Sequence, residues 1–137
     1  MKKNSVVHFE MPAKDKERVS KFYSNAFGWD MKVLGAEMGN YVLAGTTETD
    51  ENNMVKTPGT INGGFYEYKD EPGFQYPSVV LAVDDLKESS DRVKAEGGEI
   101  VGEEMDIPGI GKFVSIKDTE GNRVGMLQPN PRESETS

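Results

Sequence analysis

The chain has 137 residues, 35% of them hydrophobic, with 16 basic against 24 acidic side chains, a net charge of −8 and no cysteine. That length suits a single domain or two half-domains sharing a core. The missing thiols exclude disulfides, thiolate metal sites and cysteine nucleophiles, and the negative charge opposes a nucleic-acid partner.

Val6 to Met11 reads as a strand in which Val7, Phe9 and Met11 face one way and Val6, His8 and Glu10 the other. Asp15 is placed to cap a helix whose Val19, Phe22, Tyr23, Ala26 and Phe27 fall on one stripe, and Gly28 is placed to end it. Trp29 to Val33 and Asn40 to Ala44 read as two further strands. Thr46 to Thr60 is polar and without periodicity, so it predicts a long loop bordering any site. Ile61 to Tyr68 reads as a strand, and Lys69 to Gln75, with Pro72-Gly73 inside it, as a linker.

The plan then repeats. Ser78 to Val83 alternates as a strand, and Asp85 with Glu88 opens a second helix, which stops at Gly97-Gly98. Its apolar stripe is thin, mainly Leu86 and Val93. Glu99 to Glu104, Lys112 to Lys117 and Arg123 to Gln128 read as three strands, the last two joined by a turn at Asp118 to Asn122. Asp15 overlies Asp85 and Gly28 overlies Gly98, both at an offset of 70 residues. The chain from 5 to 68 and the chain from 76 to 129 are therefore two βαβββ modules of one domain, followed by a polar tail from Pro129 to Ser137 expected to fray.

The segment VVHFEMPAKDKERVSKFYSNAFGW, from Val6 to Trp29, resembles the opening of the vicinal oxygen chelate superfamily, which includes glyoxalase I, bleomycin-resistance proteins and extradiol dioxygenases. Val83-Asp84-Asp85-Leu86 is similar to the start of its second module. Ile107 to Phe113 followed by Asp118 to Asn122 is similar to its closing hairpin. The likeness implies an α+β fold whose mixed sheet forms a cup, with the helices on the convex face. Alternation then puts Phe113, Ser115, Arg123, Gly125 and Leu127 in the cup with Val6, His8, Glu10, Ser78 and Val80, and sends Val114, Ile116, Val124 and Met126 to the helix side.

Metal-using relatives take ligands from four cup positions. By resemblance these are His8, a position within Ile61 to Phe65 where the candidates are glycines, Ser78 in place of a usual histidine, and Gly125 in place of a usual glutamate. With one histidine in the chain and three donors missing, no metal and no cofactor is expected. His8 has two readings, a partly buried hydrogen-bonding residue or a ligand contact and base. Glu10 has two as well, because a carboxylate facing a cup needs a partner, and Arg123 on the same face could form either a structural pair or one that orients substrate. Tyr41, Phe65, Tyr66 and Tyr68 read as core or rim, and Trp29 as a packing residue.

The expected ligand contacts are His8, Glu10, Ser78, Phe113, Ser115 and Arg123. The expected function is metal-independent binding of a small, partly apolar organic molecule. The alternative is a lyase or isomerase related to glyoxalase I, with His8 or Glu10 as base. No apolar run reaches the ~20 residues of a membrane span, and the first residues carry no secretory signal, so a cytoplasmic protein with no membrane partner is expected, with a second copy of the chain as its expected protein partner.

Overall fold

The computed structural model describes residues 1–71 and 73–130. Its elements run β1 (Val6–Ala13), α1 (Lys16–Phe27), β2 (Asp30–Val33), a 3-10 turn (Ala36–Met38), β3 (Val42–Gly45), β4 (Asn62–Glu67), β5 (Ser78–Ala82), α2 (Leu86–Ala95), β6 (Glu99–Ile107), β7 (Gly111–Lys117) and β8 (Arg123–Pro129). This is the expected α+β order, βαβββ twice. Residues 8–77 form one compact unit, and Met1–Val7 with the chain from Ser78 form the other. Among the described residues no helix is long and apolar enough to cross a membrane.

In the first unit the strands lie in the order β2-β3-β4-β1, antiparallel except for the parallel pair β4 and β1. Phe9, Met11 and Ala13 of β1 turn toward α1 and join Val42, Ala44 and Phe65 in a core completed by Val19, Tyr23, Trp29, Met31 and Val33. Phe65 is 2% exposed, and burying a side chain of that size contributes about 1.5–3 kcal/mol. Trp29 stacks on Tyr23 with ring centroids 4.6 Å apart, which makes it the packing residue expected. The apolar stripe of α1 is wider than the face the sheet covers. Val19 and Tyr23 pack, whereas Phe22 and Phe27 of the same stripe remain 56% and 63% exposed.

The second unit repeats the order as β5-β8-β7-β6, with β5 and β8 the parallel pair. Its core is Val83, Leu86, Val114, Ile116 and Met126, with Val93, Ile100 and Val124 against it. The helix-facing residues on β7 and β8 are thus the ones alternation selects. Strand β6 runs three residues beyond its predicted end. It does so because a bulge between Val101 and Met105, with Gly102 at φ 80°, resets the register and lets pairing with β7 continue to Ile107.

Both helix starts follow the sequence. Asp15 accepts from the Arg18 N–H and Asp85 from the Glu88 N–H, each at 2.9 Å. Gly28 ends α1 in the left-handed conformation at φ 73°, and after α2 that conformation falls to Gly97 at φ 96°. Removing either cap by Asp15→Ala or Asp85→Ala is expected to lower stability by about 1 kcal/mol. Urea unfolding would show this as a lower midpoint at unchanged slope. The β7–β8 turn is held by Asp118, whose carboxylate accepts from the Asn122 side chain at 3.0 Å and from the Glu120 and Asn122 backbone N–H groups at 2.9 Å. These bonds, the Asn122 amide foremost, keep its pKa below the ordinary 3.8. The polar tail beyond residue 130 and Pro72 of the linker lie outside the described residues.

Candidate functional site

In the first unit the site face is the side of the sheet away from α1. Phe9 and Met11 point to the core, so His8 and Glu10 lie on the opposite face, both half-buried. The parallel register sets His8 beside Asn62 and Glu10 beside Gly64. The His8 Nδ1 lies 3.0 Å from the Asn62 carbonyl oxygen. A carbonyl can only accept, so Nδ1 carries the hydrogen, and in the neutral ring Nε2 carries the lone pair. The Glu10 Oε2 accepts from the Tyr41 hydroxyl at 3.0 Å. Gly64 is what permits this contact, because a Cβ at that position would run into the Tyr41 ring. Its neighbour Gly63 faces the other way, where a Cβ would meet the carbonyl and ring of Phe9.

In the second unit the corresponding face carries a polar cluster and an apolar floor. The Arg123 guanidinium donates from Nη1 to the Ser78 hydroxyl at 3.3 Å and from Nη2 to the Ser115 hydroxyl at 3.1 Å. Val80 and Leu127 are buried, and the Phe113 ring lies across Gly125. A Cβ on Gly125 would sit 2.6 and 2.8 Å from two Phe113 ring carbons and 3.2 Å from Val80 Cγ2. Gly125 is therefore on the face away from α2, as expected. It is roofed by the Phe113 ring rather than open to solvent.

The two registers make the modules equivalent position by position. Glu10 pairs with Gly64 as Val80 pairs with Gly125, and Leu43 pairs with Gly64 as Ser115 pairs with Gly125. Tyr41 and Phe113, each two residues before those partners, are then counterparts, and both lay a ring over a strand glycine. Gly64 is thereby the module-one equivalent of Gly125, which identifies the second of the four positions where the resemblance expects a metal donor. The residues at those positions do not fit a transition metal. Within each module the carboxylate position is a glycine under an aromatic ring, and Ser78 offers a hydroxyl where imidazole is wanted. Among the described residues no three of His, Cys, Asp and Glu gather as a metal-holding group.

Of the six residues expected to meet a ligand, His8 and Glu10 share one face in the first unit. Ser78, Ser115 and Arg123 are hydrogen-bonded together in the second, with Phe113 beside them over Gly125. Sequence reasoning missed Asn62 and treated Tyr41 as core or rim. The signal that could have found both is the run Asn62-Gly63-Gly64 inside a strand, since glycine there marks close approach by another group.

The model of the Glyoxalase/Bleomycin resistance protein/Dioxygenase superfamily matches residues 5–126. A glyoxylase-like domain-containing protein of Didymella fabae is 29% identical over 120 residues, covering 82% of this chain and 84% of the relative. A protein of Vibrio parahaemolyticus named as a probable lactoylglutathione lyase is 26% identical over 132 residues, 93% of each chain. Among solved structures, methylmalonyl-CoA epimerase from Mycobacterium tuberculosis superposes with a TM-score of 0.61 at 15% identity, covering 92% of this chain and 88% of that one, a likeness of fold. The register, the paired modules and the match along 5–126 agree, and the chain belongs to the Glyoxalase/Bleomycin resistance protein/Dioxygenase superfamily.

Proposed function

We propose that the protein binds a small, partly apolar organic molecule on the helix-free side of its modules without a metal ion. The observation that carries this reading is the replacement, in both modules, of a donor position by a glycine lying under an aromatic ring. Rings and buried aliphatic side chains supply apolar lining. In the first unit His8 and Glu10 supply the few polar groups that orient a ligand on that face; in the second, Ser78, Ser115 and Arg123 do so, and Phe113 adds a flat surface there.

Elemental analysis of the purified protein is expected to find far less than one transition metal per chain. Added nickel or zinc is expected to give no turnover of the hemithioacetal of methylglyoxal and glutathione. A stoichiometric metal that disappears in His8→Ala, or metal-dependent turnover, would sink the reading.

A second reading, proton transfer next to a carbonyl, is favoured by one observation: the Asn62 carbonyl holds His8 with Nε2 as the basic nitrogen. A positioned base accelerates such a step by about 10²–10⁴. The discriminating measurement is deuterium uptake from solvent at C2 of methylmalonyl-CoA, the substrate class of the structural relative. Uptake that falls about a hundredfold or more in His8→Ala would favour catalysis over binding alone.

A further inference from the structure

Asn62 opens β4 and stands beside His8, and it is also the residue that closes the excursion running from β3 to β4. Its carbonyl accepts from His8 Nδ1. Its side-chain oxygen accepts from the Thr46 N–H at 2.7 Å and from the Thr47 N–H at 3.0 Å. The same closure is tightened by the Thr46 hydroxyl donating to the Ile61 carbonyl and by the Thr60 hydroxyl, which donates to the Thr57 carbonyl at 2.6 Å and accepts from the Thr47 hydroxyl at 3.0 Å. An asparagine is poorly suited to a strand, and here both of its oxygens are in use for other ends.

The histidine contact decides a tautomer. With hydrogen on Nε2, the lone pair of Nδ1 would face the lone pairs of the Asn62 carbonyl, so the half-buried ring would lose a hydrogen bond and gain repulsion. Free histidine prefers hydrogen on Nε2. The fold therefore imposes the opposite choice, and it does so through a backbone carbonyl that the β1–β4 pairing sets beside His8 and that the side-chain bonds of the same residue to Thr46 and Thr47 help to hold.

We propose that Asn62 is a positioning residue that holds His8 with its Nε2 lone pair toward the ligand and ties this state to the closure of the 46–60 segment. The ligand group met at His8 is then a neutral hydrogen-bond donor, a hydroxyl or an amide N–H. This rests on the binding reading above and names the chemistry it requires at one point. A carboxylate or phosphate oxygen needs a donor, which the Nε2 of a neutral imidazole cannot supply.

The chain has one histidine, so nitrogen-15 spectra of the intact protein report His8 without ambiguity. At a pH where the ring is neutral, the Nδ1–H tautomer is expected to dominate. Asn62→Ala keeps the backbone carbonyl but frees it from the Thr46 and Thr47 anchors, so it should move the ratio toward Nε2–H and raise amide exchange at Thr46 and Thr47 about tenfold, the scale of a lost hydrogen bond. Asn62→Asp keeps the accepting oxygen and should restore both. A wild-type ring in the Nε2–H form overturns the proposal without any variant, as does a ratio unmoved by Asn62→Ala.

The ligand class is tested with benzyl alcohol against benzyl methyl ether. Benzyl alcohol is expected to shift the Nε2 resonance and the ether is not. Equal shifts would overturn the donor assignment. No shift with either probe would overturn the binding reading and the ligand class with it, while the tautomer still decides the role of Asn62.

Discussion

Gly64→Ala is expected to destabilise the protein by about 1–3 kcal/mol, the usual range for forcing an extra methyl into filled space. In a Tyr41→Ala background the same substitution should cost nothing or be slightly stabilising. A Cβ at Gly64 meets the Tyr41 ring, so the ring must swing away and its hydroxyl must leave the Glu10 carboxylate. Nothing in the backbone requires glycine there, since Gly64 is not among the positions of positive φ. Once the ring is gone, alanine's lower entropy in the unfolded chain favours the variant by up to about 1 kcal/mol. Urea unfolding of the wild type, both single variants and the double closes the cycle. Single effects that add to within about 0.5 kcal/mol would show that the ring does not lie on Gly64.

Most of the fold was legible because its signals are local. Asp15 and Asp85 cap, Gly28 and Gly97 take the left-handed turn, and alternation along β1, β7 and β8 sorts core residues from the rest. Local signals do not show how much of a helix face a sheet can cover: the stripe that includes Phe22 and Phe27 follows from spacing, while the packing that takes only Val19 and Tyr23 from it does not. The site was legible in part, and by the same division. His8 and Glu10 follow from alternation, but their partners follow from register. Asn62 and Tyr41 are 54 and 31 residues away in sequence from the side chains they bind. A glycine doublet in a strand announces that something lies close, yet it does not name the ring.

Gly125 stands where the resemblance expects a glutamate, and the register places it on the face away from α2. Gly125→Glu would restore that carboxylate, and on an open face it would be tolerated. Gly125 is instead buried, with the Phe113 ring and Val80 across it, so the new side chain must displace the ring and place a carboxylate where it is partly desolvated. The expected loss is about 2–4 kcal/mol, from overpacking and a poorly solvated charge together. Phe113→Ala opens the same space. The double variant should therefore recover most of the loss, the more so because Arg123 stands on the same face of β8 two residues away as a counter-charge. Unfolding midpoints for the four proteins separate the cases. If Gly125→Glu behaves as wild type, Phe113 does not roof the glycine. If the loss is large and Phe113→Ala relieves none of it, Gly125 faces Leu86 and Val114, and the pairing of β8 with β7 is shifted by one residue, which would move every side chain on that strand to the other face.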